Sequence, residues 1–316
     1  MASGTGGTMT SDALQRERVH VSRWTRALEN EKLLAVALIA PAVIILVLFI
    51  AYPFAMAIWL SLTNLRVGGV GDFVGLDNFI KAWNDSIFQT VFRNTFFYTF
   101  WATVFKLALG MWLALLLNRH FRFKRIVRAS MLLPFIIPTV LSTFAWRWMF
   151  DPTFSVVNWV LYHGGFITSR LPFLSDGDWA MWCAILVNTW RGVPFFAITL
   201  LAGLQTISPD LHEAAALDGA NAWQRFWHVT WPLLMPVTLV VVVFSVIQTF
   251  SDFQLIYVLT GGGPANSTHL IATYAYQLGV GTGLLGEGAA ISLFMFPVLF
   301  AVVWIQLRYL KRIEGA

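Results

Sequence analysis

The sequence predicts an all-α integral membrane protein of about six transmembrane helices, and three observations carry that expectation. Of its 316 residues, 58% are hydrophobic and only 12% charged, against about 25% charged in soluble domains. Its apolar residues gather in runs long enough to cross about 30 Å of hydrocarbon. Its basic residues stand in short clusters beside those runs. A soluble fold of this size could not cover so much apolar surface. A helix in lipid satisfies its own backbone groups and needs no such cover.

Taken in order, residues 1–32 form a polar tail, rich first in Gly, Ser and Thr and then basic, with a surface helix expected near 14–28. The first span, 33–62, holds no charged residue. It is long enough to cross with some tilt and too long for the apolar core of a cleavable signal. A glycine-rich polar loop follows to residue 86. The second span is expected at 87–117 and the third at 129–150, with Pro134 and Pro138 setting kinks. The fourth falls at 179–203, the fifth at 233–259 and the sixth at 288–307. No internal repeat is evident, so 33–312 reads as one membrane domain, with 313–316 as a short tail.

Charge sets the orientation. Five basic residues in the N-terminal tail and five in the loop after the second span (Arg119, Arg122, Lys124, Arg125 and Arg128) lie on one side. Arg225, Arg308, Lys311 and Arg312 join them, while Arg66, Lys81, Arg93, Arg147 and Arg170 fall on the other. The excess places both termini and the loop 204–231 in the cytoplasm. It also accounts for the net charge of +5 without nucleic acid.

Polar groups inside the spans are candidates for a solute path. The fourth span contains Asn188 and Arg191, with Pro194 three residues on. A mid-membrane arginine costs at least about 2.5–3.5 kcal/mol and should face a cavity or a partner. The proline is expected to break or bend its helix beside that cavity. The fifth span offers Gln248, Ser251, Asp252 and Gln254, with Tyr257 after them. Gln248, Ser251 and Asp252 are spaced i, i+3, i+4 and share a helical face. Amides, hydroxyls and a carboxylate around a wet cavity suit a hydroxyl-rich solute, on which aromatic rings can stack. The plainer reading is that these groups hold helices together, with Arg191 paired to Asp252 or either joined to Lys106. Lys106 itself has no evident local partner.

Several chemistries are excluded. Gly281 and Gly286 have phosphate-loop spacing, but Glu287 stands where the lysine is required. His212-Glu213 begins a zinc-protease pattern that Ala216 ends. A single cysteine, Cys183, excludes an internal disulfide and a multi-cysteine metal site. No nucleophile and base are grouped as an enzyme would need, and no cofactor site is expected on this chain.

The loop 201–236 is the most specific feature. Ser208-Pro209-Asp210 is a helix start, with a capping hydroxyl, proline at the first position and an acid in the first turn. Glu213, Ala214 and Ala215 follow, then Asp218 and Gly219, where a short helix would stop. About ten helical residues are marginal alone in water, which suggests a helix completed by docking into a groove on another protein.

Glu213-Ala214-Ala215, three residues, Gly219, nine residues, then Val229-Thr230-Trp231-Pro232 resembles the EAA motif of ABC-importer permease subunits. The family pattern ends Ile-x-Leu-Pro, so Val229 and Trp231 are apolar departures. Phe250-Ser251-Asp252-Phe253 and the segment 256–264, ending Thr-Gly-Gly-Gly-Pro, resemble the sugar-transport branch, on the side of the larger maltose permease and the glycerol-phosphate permease. The resemblance implies a type I ABC-importer permease fold (MetI-like) in a bacterial or archaeal cytoplasmic membrane. It implies as partners a second permease, two ABC ATPase subunits that use ATP and Mg, and an extracytoplasmic solute-binding protein. Glu213, Ala214, Ala215, Asp218 and Gly219 would then be the ATPase-coupling positions, and a sugar or polyol the cargo. An ion-coupled secondary transporter using Arg191, Asp252 and Lys106 is the alternative, weakened by the missing repeat.

Overall fold

A computed structural model describes residues 31–119 and 122–314. The surface helix expected near 14–28, and nearly all of the tail 1–32, lie outside the described residues. Helices make up almost all of the secondary structure described, and one isolated bridge, Thr63 to Phe73, is the remaining regular pairing.

The chain divides into two units, the first ending at Met56 and the second beginning at Ala57. The first holds a helix, α1 (Glu31–Leu46), which passes through a π-helical turn (Val47–Ala51) into α2 (Tyr52–Ser61), whose residues from Ala57 onward belong to the second unit. Its apolar side chains, among them Phe49 and Ile50, are exposed.

The second unit contains α3 (Asp77–Asn84), α4 (Ser86–Asn118), α5 (Lys124–Ile136), α6 (Thr139–Met149), α7 (Val156–His163) and α8 (Gly177–Leu204). After α9 (Pro209–Leu217) and α10 (Ala222–Arg225), a π-helical turn leads into α11 (Trp231–Phe250). Then come α12 (Gln254–Leu259), α13 (Ile271–Tyr276), α14 (Leu285–Leu293) and α15 (Met295–Glu314). Among the described residues, five segments are long and apolar enough to cross a membrane: Leu34–Ser61, Ser86–Asn118, Gly177–Leu204, Ala222–Phe250 and Leu285–Lys311. The bent pair α5–α6, counted as one span, brings the number to six.

The pair α4 and α8 forms the centre. Gly110 of α4 sits where a Cβ would collide with Phe196 and come within 3.3 Å of the Ala197 nitrogen. Lipid gives helices little hydrophobic reason to associate, so such close backbone packing takes its place. Tyr98, Ala102, Ala184 and Ile185 pack at one end of this pair with Leu255 and Ile256. Met111, Ala114, Leu200 and Leu234 pack at the other.

Two departures from a set of straight rods matter, and one expected break is not seen. The third span bends by 92° between α5 and α6. Ile137, preceding Pro138, is extended at ψ 129, as a residue before proline tends to be. Pro134 lies inside α5 without ending it. The expected break at Pro194 is corrected: α8 runs unbroken from Gly177 to Leu204, with Val193, Pro194, Phe196 and Ala197 all buried. Packing on both sides of the proline outweighs one missing backbone donor. The fifth span stops at Phe250 rather than running to residue 259, and a turn at 251–253 separates α11 from α12.

Candidate functional site

Where α6, α8 and the end of α11 meet α4, they enclose a cavity of about 570 Å³. Of the residues expected to face a solute path, Asn188, Arg191, Gln248, Ser251, Asp252 and Gln254 all line it. The turn after α11 makes this so, because it brings both sides of Asp252 to the same opening. Tyr257 does not line the cavity. It is half exposed and stacks on Phe253, with ring centroids 5.0 Å apart.

Lys106 supplies the centre of a buried network. Its ammonium donates to Asn188 Oδ1 at 2.9 Å and to Thr249 Oγ1 at 2.7 Å. The Asn188 amide nitrogen donates in turn to Asp252 Oδ2 at 2.9 Å, and so does the Tyr98 hydroxyl at 2.9 Å. The other Asp252 oxygen accepts the Leu255 amide, in the first turn of α12, at 3.3 Å. Arg191 Nη1 donates to Thr139 Oγ1 at the start of α6, and its Nη2 lies 3.9 Å from Asp252 Oδ2. Arg191 therefore does face Asp252, but at the distance of an ion pair rather than a hydrogen bond. Lys106 and Asp252 are both buried, at 4% and 6% exposure. Burial on that scale requires charged groups to be paired and hydrogen-bonded.

The sequence left Lys106 without a partner because Asn188 and Thr249 are 82 and 143 residues away. Tyr98 and Thr139 were missed entirely. A polar residue two turns before Lys106 on the same helix was the available signal for Tyr98. No local signal marks Thr139. Five phenylalanines, including Phe135, Phe195 and Phe244, complete the wall with flat apolar faces. Gln248 and Gln254 have no hydrogen-bond partner among the described residues, which leaves their amides open to a solute.

A second feature lies in the loop between α8 and α11. Ser208 caps α9, its Oγ accepting from the Asp210 nitrogen at 3.3 Å, and Pro209 occupies the first position. At the other end Gly219 N donates to Ala216 O at 3.1 Å and Ala220 N to Ala215 O at 3.0 Å. That pair of bonds is a Schellman motif, with Gly219 left-handed at φ +83. None of the nine residues of α9 is buried. Glu213, Ala214, Asp218 and Gly219 are exposed and Ala215 is partly covered, beside a shallow recess with Gln224, Arg225 and His228. Asn221 and Gln224 form a reciprocal capping box at the start of α10, so the loop is ordered by its own caps.

Membrane-length helices around a polar cavity, with a capped helix held out of the bundle, define a solute permease. Residues 106–315 match the family described as binding-protein-dependent transport system inner membrane component, and the chain belongs to it. It is 36% identical to the sulfoquinovosyl glycerol transport system permease protein SmoG of Agrobacterium fabrum, over 92% of this chain and 94% of that one. It is 32% identical to the trehalose/maltose transport system permease protein MalF of Thermococcus litoralis, over 90% and 96%. A solved structure of a bacterial ABC transporter involved in the import of the acidic polysaccharide alginate contains a chain that matches with TM-score 0.77 at 25% identity. That match covers 92% of this chain and 99% of the other. The protein is thus a multi-pass inner-membrane permease subunit with this fold, and its relatives are permeases rather than enzymes.

Proposed function

We propose that the chain is one of two permease subunits in an ATP-driven, binding-protein-dependent importer for a sugar, oligosaccharide or related polyol. Both termini and the loop bearing α9 face the cytoplasm. The cavity at Arg191 and Asp252 is part of the translocation path, and α9 docks on a separate ABC ATPase that binds ATP and Mg. A solute-binding protein delivers cargo from the outer side. The names of the relatives, which carry sulfoquinovosyl glycerol, trehalose/maltose and alginate, support a carbohydrate.

The observation that carries the coupling role is the exposure of α9. A nine-residue helix with no buried residue gains little from its own chain beyond its two caps, and helices this short are marginal in isolation. Ala214 and Ala215 leave room for close approach, and Glu213 has no ion pair among the described residues. Docking supplies the missing contacts. Closure of the ATPase pair on ATP moves the docked helix, tilts the bundle and opens the cavity outward; hydrolysis restores the inward state. Such a switch requires α9 to be held differently in the two states.

The test replaces Glu213 with Ala or Lys in the assembled transporter in proteoliposomes, with uptake and ATPase rate measured together. The expected result is a fall of about tenfold or more in uptake per ATP hydrolysed, in line with loss of a charged interface contact. Uptake and stimulation matching the unsubstituted complex in both variants would falsify the docking role.

A further inference from the structure

We infer that the cavity receives saccharides that carry an anionic group, and that Arg191 is the side chain that meets the anion. The inference rests on the carbohydrate-importer reading and narrows its cargo.

It follows from the charges in the cavity wall. Two cations, Lys106 and Arg191, face one carboxylate, Asp252. The carboxylate is occupied by the protein, since Tyr98 and Asn188 donate to one oxygen and the Leu255 amide to the other. A sugar hydroxyl therefore finds little free acceptor on Asp252 and meets the neutral amides of Gln248 and Gln254 instead. On the other side, Asn188 accepts from Lys106 and donates to Asp252, so its amide is fixed in one orientation and links the buried ammonium to the carboxylate. Asp252 is thus shared, reached by Lys106 through Asn188 and by Arg191 at 3.9 Å, and one carboxylate leaves the Arg191 charge only partly met.

Arg191 is also the cation placed to reach a solute. Its side chain is 25% exposed, whereas the Asp252 side chain is 5% exposed. Its one hydrogen bond of the pair described above goes to a neutral hydroxyl, Thr139. A guanidinium presents several N–H groups in a plane that fits two oxygens of a carboxylate, sulfate or phosphate at once. The buried Ser245 hydroxyl lines the same cavity with no hydrogen-bond partner, which provides a further donor. Phe195 and Phe244 give the sugar ring an apolar face beside these charges. A partly met positive charge in a partly enclosed cavity attracts an opposite charge, so an anionic saccharide gains an interaction there that a neutral one lacks.

The purified complex of the full chain with its permease and ATPase partners, without the solute-binding protein, is titrated with four probes. These are digalacturonate, glucose 6-phosphate, glucose 6-sulfate and neutral maltose, and binding is read by ligand-induced thermal shift. At least one anionic probe is expected to bind about tenfold or more tightly than maltose, and the carboxylate, phosphate and sulfate arms separate the sources of charge. Arg191→Gln should remove that preference and Arg191→Lys should keep part of it. Asp252→Asn, which adds net positive charge, should tighten anion binding, a gain that misfolding cannot produce. Maltose binding equal to or better than the anions, unmoved by Arg191→Gln, overturns the inference and leaves the importer reading standing. Failure of every saccharide up to about 10 mM, with an amino acid bound instead, overturns both.

Discussion

Replacing Gly219 tests the link between helix capping and coupling, because the cost can be worked from the backbone alone. The residue adopts φ +83, and a Cβ built on it meets no atom within 4 Å. Steric conflict inside this chain is therefore absent, and any penalty is conformational. A left-handed backbone costs a residue with a Cβ about 1–2 kcal/mol, less for Asn, more for a β-branched side chain. At 1.4 kcal/mol for each factor of ten, the population of the capped end of α9 falls about 5–30-fold for Ala. For a helix with no buried residue, that is enough to decide whether the end is formed. Amide protection across 209–220 and uptake per ATP hydrolysed, both measured in the assembled transporter, should fall in the order Gly, Asn, Ala, Val. A valine variant with native protection and native coupling would refute the reasoning. So would Asn and Val variants that lose equally, since that pattern points to contact with a partner rather than to φ.

Two further outcomes follow from the bundle. Gly110→Val should lower the melting temperature of the purified chain more than Gly110→Ala, by about 1–3 kcal/mol of overpacking, since Phe196 and the Ala197 backbone leave no space; equal melting of all three would show that α4 and α8 can separate. The His269 ring lies under Gly262, and its Nδ1 is 3.1 Å from the Thr273 hydroxyl. Burial lowers its pKa below the ordinary 6.5, partly countered by a hydrogen bond with Gln277. Because the folded value is depressed, its effect on stability is flat above 6.5 and unfavourable as pH falls below it. Amide protection of 260–273 should drop on acidification in the native chain and stay level in a His269→Gln variant.

The cavity residues show how far local reasoning reaches. Asn188, Arg191 and Asp252 stood out because a polar group costs energy in hydrocarbon wherever it sits, so its presence is informative without coordinates. Lys106 raised the same question, but its answer lay on two other helices. The expected face of Gln248, Ser251 and Asp252 was right about the shared cavity and wrong about the means, because the helix ends at Phe250 and the turn does the gathering. Tyr257 was placed by proximity along the chain, and the start of α12 carries it away to stack on Phe253. Pro194 does not break its helix, because a proline's cost is local while the packing that overcomes it is not.

The sequence by itself determined the class, the approximate spans and the capped helix α9. Hydrocarbon thickness sets the length of a run, and helix caps lie within four residues of the groups they satisfy, so both are written in short stretches. Only the tertiary structure decided which charges meet. The bonds Lys106–Asn188, Asn188–Asp252 and Tyr98–Asp252 join residues 82, 64 and 154 apart, and they depend on how α4, α8 and α11 cross. No local spacing records that crossing, and it is what leaves Arg191 facing the cavity with its charge only partly met.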